Sequence, residues 1–291
     1  MQTQAPAPEG LIDVPGGRVF YRIVGRDAPG TPLLVVHGGP GLPHDYLEPL
    51  QALANARPVV FYDQLGCGRS DRPGDRSLFT LPRFVEELDA VRQALGLSRL
   101  ALLGQSFGAL LGVEYLLRRG QEGVERLVLS GPCLSAARFA ADQRAHLAAM
   151  PQAVQDAVAA AEATGDFDTP AYQAAVGAFY AKHVCRLDPW PACLTRAIEG
   201  MGLPCYLHMW GPSEFTLTGT LAGYDATPEL GTITVPTLLT CGRFDEATPQ
   251  TTADFAARIP GARLAVIEDA SHSHHLEQPA RYLKAVEAFL A

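Results

Sequence analysis

Leu100-Ala-Leu-Leu-Gly-Gln-Ser-Phe-Gly108, continuing into the apolar repeat that ends at Arg119, is the stretch whose reading decides the fold. Residues 100–103 form a short apolar run of strand type, and from Phe107 to Arg119 the apolar positions fall at helical spacing. Between them Gly104-Gln-Ser-Phe-Gly108 turns strand directly into helix. A serine on so tight a turn sits in strained backbone geometry that tolerates only small neighbours, and its hydroxyl is thrust clear of the fold. The bare five-residue pattern occurs by chance in many proteins. Here the strand before it and the helix after it supply the context the chemistry needs, and Ser106 is the candidate nucleophile.

Outward from this elbow, short apolar runs alternate with helical stretches. Residues 19–24, 33–36, 59–62 and 124–129 read as strands, and 81–95 as a helix with Thr80 as N-cap and Pro82 just inside it. Such βα alternation predicts a mainly parallel sheet with helices on both faces. Three of the strands run into Gly-containing loops: His37-Gly-Gly-Pro-Gly41, Asp63-Gln-Leu-Gly-Cys-Gly-Arg-Ser70 and the elbow itself. Loops at strand carboxyl ends are where open α/β sheets place their sites. From 133 to 224 the strand signal vanishes and Ala-rich segments such as 151–163 alternate with Pro, Gly and aromatic residues. That stretch reads as an inserted helical cap, with 1–132 and 225–291 forming the catalytic domain. Strands return at 234–240 and 263–267, and 279–290 closes the chain as a helix.

A serine hydroxyl needs a base, and the base needs a partner that fixes its tautomer. Enzymes built on this elbow carry the three in the order Ser, Asp, His. The strand at 234–240 leads into Cys241-Gly-Arg-Phe-Asp-Glu-Ala-Thr-Pro249, which offers Asp245, and the strand at 263–267 ends in Glu-Asp-Ala-Ser-His272. Asp269 is the rival acid, in a position that suits a turn. His274 and His275 are rival bases, though His272 lies nearest the strand end. A histidine cluster also invites a metal reading, but no Cys, His or carboxylate set at ligand spacing accompanies it, so neither metal nor other cofactor is expected. The second oxyanion donor, after the N–H of Phe107, should come from the His37 loop, with Gly39 as the choice.

Composition bounds the partners. The 291 residues are 47% hydrophobic and 19% charged, with net charge −8 and no basic block, which argues against nucleic acid. No run approaches the roughly 18 apolar residues of a membrane span. Residues 1–10 show no basic region followed by an apolar one, so a cytoplasmic protein is expected. The six scattered cysteines read as buried free thiols. Oligomeric state is not legible.

Taken together, His37-Gly-Gly-Pro-Gly41, Asp63 to Ser70, the elbow, Gly242-Arg-Phe-Asp-Glu-Ala-Thr-Pro249 and Ser271-His272 with Glu277-Gln-Pro279 resemble the proline iminopeptidases. That family, which includes the tricorn-interacting aminopeptidases, lies within the α/β-hydrolase superfamily. The resemblance implies an α/β-hydrolase fold and a serine hydrolase that removes an N-terminal residue from a small peptide or amino-acid amide. It supports His272 over its neighbours, because the family places Glu-x-Pro shortly after the catalytic histidine. It also implies that Glu246 and Glu214, the latter within Trp210-Gly-Pro-Ser-Glu-Phe-Thr216, bind the substrate's free amine. Phe107 stands where the family commonly has Trp, and Ala109 follows Gly108; both departures are mild. Phe139, Tyr206 and Trp210 read as cap core rather than pocket wall. The competing readings are an esterase or lactonase, which would not need the two glutamates, and a binding protein with a broken triad, which the intact Ser, Asp and His disfavour.

Overall fold

The computed structural model describes residues 8–291, so most of the N-terminal segment read above as lacking a secretory signal lies outside the described residues. Eight strands form one sheet: β1 (Glu9–Val14), β2 (Gly17–Val24), β3 (Leu33–Val36), β4 (Val59–Tyr62), β5 (Leu100–Gln105), β6 (Val124–Ser130), β7 (Thr237–Gly242) and β8 (Arg263–Ile267). Their spatial order is β1-β2-β4-β3-β5-β6-β7-β8. β2 pairs antiparallel with β1 and β4, and every later pairing is parallel. β3, β4 and β5 are buried along their whole length, as expected of strands covered on both faces.

Alternation along those strands sorts the core into two layers. Leu34, Val36, Leu100 and Leu102 face one side, where they meet Phe84 and Leu88 of α1 (Leu81–Ala94), Leu110 of α2 (Phe107–Arg119) and Phe255 from beyond β7. Leu33, Val35, Ala101 and Leu103 face the other, against Tyr46 and Leu50 of a 3-10 segment, His44–Asn55, and Tyr282 and Val286 of the last helix. Between β6 and β7 lie five helices: α3 (Ala136–Ala148), α4 (Gln152–Thr164), α5 (Pro170–His183), α6 (Ala192–Glu199) and α7 (Leu203–Met209). After β7 come α8 (Pro249–Arg258), α9 (His274–Glu277) and α10 (Pro279–Leu290). The chain leaves the sheet and returns at one neck, where Ala136 N–H donates to the Tyr224 carbonyl and Ala226 N–H to that of Leu134.

Three details differ from the sequence reading. β1 is an edge strand that the reading passed over. β7 begins at Thr237 rather than 234, because Pro236 has no N–H to give a ladder. The 3-10 segment at 44–55, which carries Tyr46, was not anticipated.

Candidate active site

The carboxyl ends of β3, β4, β5, β7 and β8 deliver their loops to one edge of the sheet. Ser106 has φ 55° and ψ −121°, a conformation that costs on the order of 1–3 kcal/mol and persists only where its surroundings enforce it. They do: a Cβ on Gly104 would lie 2.1 Å from the Gly108 carbonyl oxygen, and one on Gly108 would lie 2.1 Å from that of Val36. Ser106 N–H donates to the Ser130 carbonyl at 2.8 Å.

Beside it the β3 loop is locked by its neighbours. Gln64 N–H donates to His37 Nε2 and the Gln64 side-chain amide donates to the His37 carbonyl, each at 2.8 Å. Burial lowers the His37 pKa to about 4, which suits a neutral, accepting imidazole. Asp63 accepts from His44 N–H, His44 Nδ1 and Arg69 N–H, so the one His/Asp grouping among the described residues that brings metal-ligand atoms together is already occupied by internal partners. Gly38 N–H donates to the Tyr46 hydroxyl at 2.7 Å. The N–H groups of Gly39 and Phe107 have no hydrogen-bond partner among the described residues, and the latter belongs to a helix N-terminus, whose first N–H groups find none inside the helix.

His272 and Asp245 meet as their loops predict. His272 Nδ1 lies 2.7 Å from Asp245 Oδ1, and Asp245 also accepts from Gly242 N–H at 3.0 Å and Ala247 N–H at 2.9 Å. Burial alone would raise the Asp245 carboxyl; the adjacent His272 and His274 outweigh it and hold it well below the carboxylate range. Burial likewise opposes the imidazolium of His272, but Asp245 and then Glu246 more than offset it and raise the group to about 10. The ring rests on Gly131, where a Cβ would come within 2.7 Å of Cε1. His272 Nε2 does not meet the Ser106 hydroxyl, which makes no hydrogen bond among the described residues. It lies instead 3.0 Å from Gln105 Nε2 and 3.4 Å from Glu246 Oε1.

The rival residues sit elsewhere. His274 is buried against Ser130 and Thr240, and His275 Nε2 donates to the Tyr46 carbonyl. Asp269 is an exposed turn residue with φ 61°, facing Arg281. Glu277 accepts from Ser271 N–H and its hydroxyl, which fixes the loop bearing His272 and gives the Glu-x-Pro motif a physical purpose.

Ser106, Gly39, His272, Glu214 and Glu246 all line one cavity of about 260 Å³. Much of its remaining wall is apolar and comes from between β6 and β7, including Trp190, Leu194, Ile198 and Leu203. Glu246 is buried and Glu214 half-buried. Glu214 accepts from the Tyr206 hydroxyl at 2.8 Å, while Glu246 Oε2 has no partner. Burial raises both carboxyls above their ordinary value, and the proximity of Glu214 raises Glu246 further. Tyr206 packs in the core with Phe139 and Trp210, as read, and its hydroxyl in addition reaches the pocket, where it holds Glu214. Phe139 and Trp210 do pack as core, edge to face at 5.2 Å.

Residues that sequence reasoning missed support this arrangement. His183 Nδ1 donates to the Phe244 carbonyl at 2.9 Å and His146 Nε2 to that of Asp245 at 3.2 Å, the two rings lying 3.9 Å apart. His272 N–H donates in turn to the His183 carbonyl at 3.0 Å. Helices α3 and α5 thus brace both loops from above.

Among known proteins, the family model for the alpha/beta hydrolase fold matches residues 31–279. A proline iminopeptidase of Heyndrickxia coagulans is 44% identical over 97% of this chain and 98% of its own length. One from Saccharolobus solfataricus is 36% identical over 97% and 92%. The crystal structure of a Mycobacterium smegmatis proline iminopeptidase superposes with a TM-score of 0.89 at 33% identity, covering 97% of each chain.

Proposed function

The chain belongs to the proline iminopeptidases of the α/β-hydrolase family, and from that premise we propose that it removes an N-terminal residue, proline foremost, from short peptides or amino-acid amides. The observation that carries the reading is a pair of carboxylates, buried Glu246 and half-buried Glu214, in the same cavity as Ser106 and His272. An acidic pair in an apolar cavity, with a buried oxygen of Glu246 unpartnered, is a poor design for a neutral ester and a good one for an ammonium, which supplies charge-assisted hydrogen bonds.

In this mechanism the substrate's amine sits between Glu214 and Glu246 and so presents the first carbonyl carbon to Ser106. The Ser106 hydroxyl passes its proton to His272 Nε2 as it attacks, and Asp245 holds the Nδ1–H tautomer and stabilises the imidazolium. The oxyanion is received by the N–H groups of Gly39 and Phe107; losing one such donor typically costs on the order of a hundredfold or more in rate. His272 returns the proton to the leaving amine, and water, activated by the same imidazole, releases the acyl group. This chemistry calls on no cofactor.

We assign residues 133–224 as the cap and 1–132 with 225–291 as the catalytic domain, a division that the neck at Ala136 and Ala226 supports. No helix among the described residues is long and apolar enough to cross a membrane. All six cysteines are free, which suits the reducing cytoplasm that we propose as its location.

Hydrolysis of the anilides of proline, alanine and phenylalanine, each with a free and an acetylated amine, tests the reading, with Ser106→Ala as the blank. Cleavage confined to free-amine substrates is expected. Equal or faster cleavage of blocked substrates or simple esters would replace it with the esterase reading.

A further inference from the structure

We propose that Glu246 also governs the general base: in the free enzyme it competes with Ser106 for His272, and the substrate's ammonium, by engaging Glu246, frees the imidazole to accept the serine proton. This rests on the reading of the site as one that binds a free amine.

The geometry around Nε2 is the starting point. Glu246 Oε1 stands 3.4 Å from it, and the other oxygen of that carboxylate is buried without a partner, so His272 is the counter-charge within reach of Glu246. The backbone of Glu246 is held separately, its carbonyl accepting from Gln143 Nε2 at 2.9 Å. On the opposite side, Gln105 Oε1 is committed to the Tyr46 hydroxyl at 2.5 Å, which leaves the Gln105 N–H donors facing His272 at 3.0 Å. Reversing that bond would strand the Tyr46 hydroxyl proton, since the other group at its oxygen, Gly38 N–H, is itself a donor.

Nε2 therefore has two exclusive states. A neutral imidazole accepts there, which suits Gln105 and later the Ser106 hydroxyl; an imidazolium donates there, which suits Glu246 and clashes with the Gln105 donors. The other charged and titratable groups around the ring are Asp245 on Nδ1, Glu214 across the cavity, His274 and His275 from α9, and His183 and His146 from the helices above. The carboxylates among them favour the imidazolium while the pocket is empty. When the ammonium enters, it takes over Glu246 and Glu214, and the proton on Nε2 leaves to solvent. One cation replaces another and the net charge of the pocket is unchanged. A blocked substrate brings no such cation and meets a protonated base, so the free amine is rewarded in kcat as well as in KM.

The test uses ring-13C-histidine NMR titrations of the wild-type enzyme with and without L-prolinol, which carries the amine but no scissile carbonyl. The His272 signal is assigned by its absence from His272→Asn. In the free enzyme it should titrate above the ordinary histidine value, and saturating L-prolinol should lower its pKa by about one unit or more. Glu246→Gln should lower it without ligand. If L-prolinol inhibits competitively yet the titration does not move, the proposal is overturned while amine binding stands. If L-prolinol does not bind, amine recognition itself fails and the proposal with it. Should Glu246→Gln not fold, the wild-type titration decides alone.

Discussion

On one side of the His272 ring Asp245 accepts hydrogen bonds from Nδ1 and from the N–H groups of Gly242 and Ala247; on the other, the very next residue, Glu246, has one oxygen near Nε2 and the other unpartnered. Both carboxylates are buried. The fold thus completes the coordination of the group that must always be charged and leaves incomplete the group that waits for a ligand. Taking one partner away from a satisfied buried charge destabilises the fold, and a charge buried without a partner costs stability until something binds.

Breaking the satisfied end should have the larger effect. Asp245→Asn is expected to lower kcat by about ten-thousandfold, because the amide no longer fixes the productive tautomer of His272. It should also lower Tm near neutral pH. The sign follows from the carboxyl's depressed value: its stabilising contribution is present above the unfolded carboxylate range and is lost as pH falls through the folded value. The Tm gap between wild type and Asp245→Asn should accordingly narrow below about pH 4. Thermal melts across that range check it.

Disturbing the seat of the base should come next. Gly131→Ala places a Cβ against the His272 ring at a positive φ, and should reduce kcat strongly with little change in KM for free-amine anilides. Steady-state kinetics separates the two parameters.

The open end should respond more gently and in the opposite sense for stability. Glu246→Gln is expected to cost roughly ten- to a hundredfold in kcat/KM for free-amine substrates, the range of a charged hydrogen bond, while Tm stays level or rises. Smallest is Tyr206→Phe, which removes the donor that holds Glu214 and should cost about three- to tenfold in kcat/KM with near-native stability.

What the sequence made legible divides along the same line. The elbow, the loop bearing Asp245 and the loop bearing His272 each follow an apolar strand and are announced by local Gly, Pro and turn chemistry, so their positions could be read from neighbouring residues. The helices between β6 and β7 gave only their helical character. Whether the Tyr206 hydroxyl reaches the cavity depends on how α7 lies over the sheet, and no spacing within 203–209 encodes that. Gln105 occupies a position the GxSxG pattern leaves free, so its contact with His272 had no signal at all. β1 was missed because a short edge strand with Leu11 exposed and Ile12 buried lacks the continuous apolar run that marked the inner strands.

The most direct measurement is the ratio of kcat/KM for proline anilide over its N-acetylated form, in the wild type and in the Glu214→Gln/Glu246→Gln double variant. Recognition of the amine by this pair predicts a large ratio that collapses toward one in the double variant, mainly through loss on the free-amine substrate. A ratio that stays large with both carboxylates gone would contradict it, and the amine would have to be read by another part of the pocket.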